Sequence, residues 1–261
     1  MIKVGKDQMD QVRSIFDGIE DSMVTACLQG YQGTAWADRL PEPDFGFIIS
    51  GEYSFFGGDP AYPGTEDVLK NIFDYMDGDE STAIYADFST DWRDRLLEVF
   101  RGRAEEVMRY GIVQKDYVFD EARLQGFIDS LPEGYEIKPF DEELYHQAMS
   151  EAWSEEFCET FSSAEEYLEK GFGFAVMYEG EMVSGMSTMT VYDGGTEGQV
   201  ATKESFRRRG LALPCAARFI LECQRRGIRP CWDAANLTSR HMALKLGYEY
   251  RGEYSTVHMH R

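Results

Sequence analysis

Basic residues are scarce in this 261-residue chain: 26 Lys and Arg stand against 47 Asp and Glu, a formal charge of −21. A surface so poor in cations excludes general nucleic-acid binding, which needs Lys and Arg against the phosphate backbone. Cysteine and histidine are few as well. The five cysteines (Cys27, Cys158, Cys215, Cys223, Cys231) are odd in number, scattered, and never spaced C-x-x-C. That excludes a disulfide framework and a zinc site, and leaves small, reduced, buried residues. Of the four histidines, His146, His241, His258 and His260, only the last two share a strand face, with no third ligand nearby. No metal is expected. Apolar runs fall far short of the ~20 residues of a membrane span, and Met1 to Asp7 lacks the apolar stretch of a secretory signal. A cytosolic protein away from membranes is expected.

What is present suffices for packed cores, with 43% hydrophobic and 14% aromatic residues. The length suits one large domain or two modest ones. Residues 1–130 read as mixed helix and strand. Apolar periodicity predicts helices over 7–19, 22–30, 65–76 and 92–100, and alternating or apolar runs predict strands over 45–50, 52–56 and 83–88, with 105–119 extended. A connector comes next, helical over 120–130 and turning at Leu131 to Gly134. From Tyr135 a second series begins: a strand over 136–139, helices over 142–153 and 163–171, and a hairpin of 172–178 with 182–188 around Gly180. A further strand runs from Glu197 to Thr202. The two halves share an order of elements without sharing sequence, so a duplicated fold with domains 1–130 and 131–261 is expected.

Charge is distributed unevenly. From Glu197 to the C-terminus twelve basic residues meet six acidic ones, or +6, whereas the other 196 residues carry fourteen against forty-one, or −27. A basic island on an acidic protein suggests a local anionic ligand. Its centre is Gln199 to Ala212 (QVATKESFRRRGLA), where a strand ends near Thr202 and a helix opens at about Arg209-Gly210 and runs to Gly227. Arginines at a helix N-terminus oppose the macrodipole. They are explained by an anion held there on backbone N–H groups and flanking guanidiniums, with Gly210 and Ala212 lacking bulk where a phosphate approaches. The bland reading is a solvated basic turn. The residues beyond Gly227 weigh against it: a strand over 230–235, then Asn236 to Ser239, a helix through Leu246, Gly247, and Tyr248 on the next strand.

With those motifs in view, the chain from about Tyr135 onward resembles the GCN5-related N-acetyltransferases. Arg207-x-x-Gly210-x-Ala212 matches that family's pyrophosphate motif, and Asn236-x-x-Ser239 with Lys245-Leu246-Gly247-Tyr248 matches its second cofactor motif. The resemblance implies a mixed α/β acyl-CoA N-acyltransferase fold, tandem here, with a degenerate N-terminal half that lacks the cofactor motif. It also implies acetyl-coenzyme A as co-substrate and a small-molecule amine as acceptor. Backbone groups of Arg207, Arg208, Arg209, Gly210, Leu211 and Ala212 would cradle the diphosphate, and Val200, Ala201 and Thr202 would pair with the pantetheine arm. A β-bulge and splayed strands would seat the thioester, and Asn236 would bind the arm with Ser239 nearby. Glu197 stands where relatives keep a carboxylate that accepts the amine proton, or is a strand-edge carboxylate. The tyrosine that protonates the thiolate in relatives is replaced by Ala243. Tyr248, Tyr250, Tyr254 or water substitutes, or the thiolate leaves unprotonated. The first half would frame the acceptor pocket or build an oligomer, with a homodimer as the expected assembly. Two other readings remain: a catalytically silent acyl-CoA sensor, and a Rossmann-type nucleotide binder, which lacks the alternating β-α-β order and the acidic ribose ligand.

Overall fold

The computed structural model describes residues 1–76 and 81–261. It divides into two compact units, one of Met1–Gly111 with Gly252–Arg261, the other of Ile112–Arg251. Residue 130, the expected border, falls inside the second unit, and the last strand belongs to the first.

In chain order the first unit contains β1 (Ile2–Lys3), α1 (Ser22–Leu28), β2 (Thr34–Ala37), β3 (Phe45–Ser50), β4 (Tyr53–Gly58), α2 (Thr65–Lys70), β5 (Thr82–Tyr85), α3 (Thr90–Val99) and β6 (Ala104–Ile112). The second contains α4 (Glu121–Asp129), β7 (Tyr135–Pro139), α5 (Glu142–Met149), α6 (Ala164–Lys170), β8 (Gly173–Tyr178), β9 (Glu181–Tyr192), β10 (Gly195–Thr202), α7 (Ala212–Arg226), β11 (Arg229–Cys231), β12 (Asp233–Ala234) and α8 (Leu237–Leu246). β13 (Tyr250–His260) closes the chain. Among the described residues, no helix is long and apolar enough to cross a membrane.

The first unit's strands follow the order β1-β2-β3-β4-β5-β13-β6. β3 and β4 form the expected hairpin, in register from Phe45↔Gly58 to Ser50↔Tyr53. Its aromatic core stacks Trp92 on Phe45 and Phe56, with centroids 5.4 and 5.2 Å apart. Gly57 and Gly58 lie in β4 itself, where a side chain would run into the Ile15 and Asp44 carbonyls. These glycines make room for neighbouring backbone, so they offer no phosphate-binding turn.

Several expected helices are shorter, for local reasons. Residues 7–19 form two 3-10 turns, Lys6–Gln11 and Arg13–Phe16, because Met9, Val12 and Ile15 recur every three residues and align at three per turn. α2 stops at Lys70, where the Asn71 side chain donates to the Asp67 carbonyl at 2.7 Å and competes with the helix. α5 stops at Met149, where the Ser150 and Ser154 hydroxyls donate to the Gln147 and Ala148 carbonyls.

The second unit's sheet has the order β11-β10-β9-β8-β7, antiparallel throughout except for the parallel pair β10–β11. β8 and β9 meet at a two-residue turn in which Glu179 and Gly180 have φ of 51° and 85°. Two left-handed residues match the strand twist and explain the tight hairpin. α7 buries Ala216, Phe219, Ile220 and Cys223, and Phe219 stacks on Phe172 at 4.7 Å. All five cysteines are free and buried, and burial pushes Cys27, Cys158 and Cys215 up to about 12, so they stay as thiols.

One buried charge fixes the end of α7. Glu222, 6% exposed, accepts from Arg225 Nε and Arg226 Nε, each at 2.8 Å. Those bonds, Arg225 foremost, hold its carboxyl down at about 2 against the opposing effect of burial. A lowered folded value stabilises the fold above the ordinary carboxyl range near 4.5, and that gain is lost as pH falls towards 2. Glu222→Gln should therefore lower Tm by about 3–6 °C at pH 7, for a loss of about 1–2 kcal/mol. In thermal melts the deficit should shrink steadily below pH 4.5 and close towards pH 2.

Candidate functional site

β10 is interrupted at its middle. Its pairing with β9 shifts register between Glu197 and Gly198, a β-bulge, and its parallel pairing with β11 ends at the same place, with Glu197 opposite Cys231. Gly198 sits at the bulge in a crowded place, where a Cβ would lie 2.6 Å from Met186 Cε and 3.1 Å from the Phe219 ring. Beyond it, Gly198 to Thr202 continues on β9 alone, down to Thr202↔Ser184. The strands splay, and one edge of β10 faces the gap. Such an edge takes an extended ligand by main-chain hydrogen bonds. Val200, Ala201 and Thr202 lie on it. On the β9 side, Ser184 Oγ donates to the Ala201 carbonyl at 2.9 Å and bonds Thr202 Oγ1 at 2.7 Å.

The chain leaves β10 into a 3-10 turn, Glu204–Phe206, and then enters the arginine loop. Arg208 and Gly210 both adopt left-handed φ, 63° and 79°. For Arg208 this costs about 1 kcal/mol, and such strain gathers at ligand sites. Gly210 explains why the helix begins at Ala212 rather than at Arg209-Gly210, since a residue at φ 79° cannot be helical. Nothing lies within 4 Å of a Cβ built on Gly210, so its missing side chain leaves open space. At the start of α7 Leu211 supplies no side-chain cap, and Pro214 removes one of the orphan N–H groups that an uncapped end presents.

The three guanidiniums are exposed, and among the described residues none pairs with a carboxylate. Arg207 Nε donates to the Thr202 carbonyl at 3.1 Å. Arg209 donates to the Ser205 carbonyl at 2.9 Å and the Tyr135 hydroxyl at 3.1 Å, and lies over the Phe206 ring at 4.6 Å. An uncapped helix end beside uncompensated cations, on a protein this acidic, can receive a multiply charged anion.

The far side of the gap is built from β11, β12 and the start of α8. Asn236 has extended backbone, and its Oδ1 accepts from Ser239 N at 3.0 Å, capping α8. Ser239 Oγ in turn accepts from Trp232 Nε1 at 3.0 Å. Asn236 thus uses its carbonyl oxygen for the helix, and its Nδ2 carries no protein partner among the described residues. Ala243 is wholly buried and supplies no donor.

Of the candidates for moving protons, Glu197 sits on β10 at the bulge, half-buried beside Cys231. Its charge helps raise two nearby phenols, Tyr192 and Tyr248, although burial is the larger cause in both. Tyr192 OH bonds Cys231 Sγ at 3.1 Å. Tyr248 lies just before β13, 4% exposed, among Trp232, Tyr117 and Phe119. Its hydroxyl donates to the Pro230 carbonyl at 3.0 Å, and burial pushes the phenol well above its ordinary value. Poor acidity and a committed hydroxyl make it a brace for β11. Sequence reasoning did not single out Gly198, Tyr192 or Trp232. Only the glycine inside a strand carried a signal.

The family model for GNAT acetyltransferase matches residues 13–257. The chain is similar to a Bacillus subtilis (strain 168) protein named "Uncharacterized N-acetyltransferase YdfB", at 28% identity, over 87% of this chain and 85% of that one. It is also similar to a solved GCN5-related N-acetyltransferase-like protein from Streptococcus suis 89/1591, at 32% identity and a TM-score of 0.87, over 98% and 99% of the two chains. A tandem GNAT protein from the clavulanic acid biosynthesis pathway shares the fold at a TM-score of 0.61 and 8% identity, over 99% and 97%. The expected mixed α/β fold of the tandem kind is therefore present, and with a family model covering nearly the whole length, the chain belongs to the GNAT acetyltransferases and is an acyltransferase.

Proposed function

We propose that this acyltransferase moves an acetyl group from acetyl-coenzyme A to the amine of a small molecule in the cytosol, by direct attack. One observation carries the reading: an uncapped helix start flanked by Arg207, Arg208 and Arg209 adjoins a strand edge left open by the bulge at Gly198. The co-substrate would supply an activated thioester. The loop from Arg207 to Ala212 would hold its diphosphate, Val200 to Thr202 would align the amide-bearing arm, and Asn236 Nδ2 would reach it from the opposite wall.

Glu197 would accept the proton that the amine sheds as its nitrogen bonds the acyl carbon and the carbon–sulfur bond breaks. Ordinary thiols ionise near pH 8.5, so the departing sulfur can leave as thiolate and take a proton from water. That suits a site with Ala243 where relatives carry tyrosine, and with the Tyr248 hydroxyl already bonded to Pro230. The test is thiol release from acetyl-coenzyme A across a panel of amines. Release that depends on an amine and yields its N-acetyl product supports the reading. Tight coenzyme A binding with no amine-dependent release would leave a silent acyl-CoA sensor instead.

A further inference from the structure

α7 carries a second lined surface, away from its arginine-flanked start. Positions 218, 222 and 226 are four residues apart and share one helix face, which forms a wall of a cavity of about 340 Å³. The other walls are apolar: Ile137 and Pro139 of β7, Leu168 of α6, and Phe172 and Phe174 at the head of β8. The cavity is a groove partly open to solvent, with Pro139 and Leu168 exposed on its rim, and its size and apolar walls leave room for a small molecule. Ten residues separate Ala212 from Glu222, roughly 15 Å of helix, so the cavity is distinct from the loop at Gly210.

The charges on this wall do not balance. Glu222 is bonded to Arg225 and Arg226, and those two cations also suit the carbonyl end of α7. Arg218 is different. It sits in mid-helix, four residues before Glu222, yet the Glu222 carboxylate turns the other way. Among the described residues Arg218 has no carboxylate partner and only covers the Phe174 ring, at 4.7 Å. Arg226 covers Phe172 in the same way, at 4.0 Å, but keeps its bond to Glu222. In a chain with 47 acidic residues, this half-buried guanidinium beside apolar walls is left able to take a carboxylate from a ligand.

We propose that this cavity binds a small organic acid, with its carboxylate on the Arg218 guanidinium and its apolar body against Ile137, Pro139, Leu168 and Phe174. One carboxylate fits one planar fork of donors. A phosphate dianion fits less well, because Glu222 lies on the same wall and the nearby helix end is its negative one. The site needs no chemistry and does not depend on the acetyl-transfer reading.

The test titrates the full chain, with and without coenzyme A, with 4-phenylbutyrate and with its neutral amide. The acid should bind saturably and the amide at least about tenfold more weakly. Arg218→Gln should bring the acid down to the level of the amide, with the melting curve and coenzyme A affinity unchanged. Leu168→Trp should fill the cavity and block both probes. Equal binding of acid and amide, binding indifferent to Arg218→Gln, displacement by coenzyme A, or no saturation below about 10 mM would each overturn the proposal. So would a concentration-dependent dimer that Leu168→Trp dissociates, since a second copy would then be what covers this face.

Discussion

Replacing Gly210 by Phe should cut coenzyme A affinity at least about a hundredfold, near 3 kcal/mol, while the protein stays folded. A Cβ at this position meets no protein atom within 4 Å beyond its chain neighbours, and the position is exposed, so a new side chain has solvent to enter. Its structural cost is confined to the left-handed backbone at φ 79°, about 1–2 kcal/mol for a residue with a Cβ. Asn tolerates that conformation better than Phe. Gly210→Asn should therefore melt close to the parent, and any affinity it loses reports bulk rather than strain. Isothermal titration beside thermal melts separates the two effects. Parental affinity in the folded Phe variant would move the diphosphate away from this loop.

The second large effect is on rate. Glu197→Gln should reduce kcat about 10²- to 10⁴-fold with coenzyme A affinity nearly unchanged, because only the proton acceptor is removed. The isostere keeps the side chain's size at the bulge, so the splayed strands persist. In the parent, the rate should rise with pH as the free amine forms. In the variant, that ionisation should remain, leaving a slow reaction that climbs toward alkaline pH. Rates measured across pH with one amine, together with product binding, give both readouts. A variant that keeps its kcat would leave Glu197 as a strand-edge carboxylate.

Much of this was legible in the residues because local chemistry agreed with the fold. The β8–β9 hairpin followed from Glu179-Gly180 between apolar strands, and α7 from its apolar stripe and the glycine stop at Gly227. The arginine loop stood out because cations at a helix start make no local sense. What stayed hidden depended on partners distant in sequence. Nothing in residues 34–37 or 2–3 announces strands, since their pairing with each other and with β3 sets them. The coincidence of the bulge with the end of β11 pairing is a matter of register, which composition does not encode. Tyr248 shows the same limit: its place in the sequence suggested a proton donor, and only packing revealed a hydroxyl engaged by the Pro230 carbonyl.

The return of the last ten residues to the first unit has a consequence for synthesis. Val257 and Met259 are fully buried in that unit's core, and the Thr256 hydroxyl donates to the Val107 carbonyl at 2.9 Å. A chain emerging from the ribosome has therefore made its first hundred residues long before the strand between β5 and β6 exists. The early segment must wait, with two strand edges exposed, while the later unit is translated. A stop codon ahead of residue 252 would thus unravel the part of the protein made first.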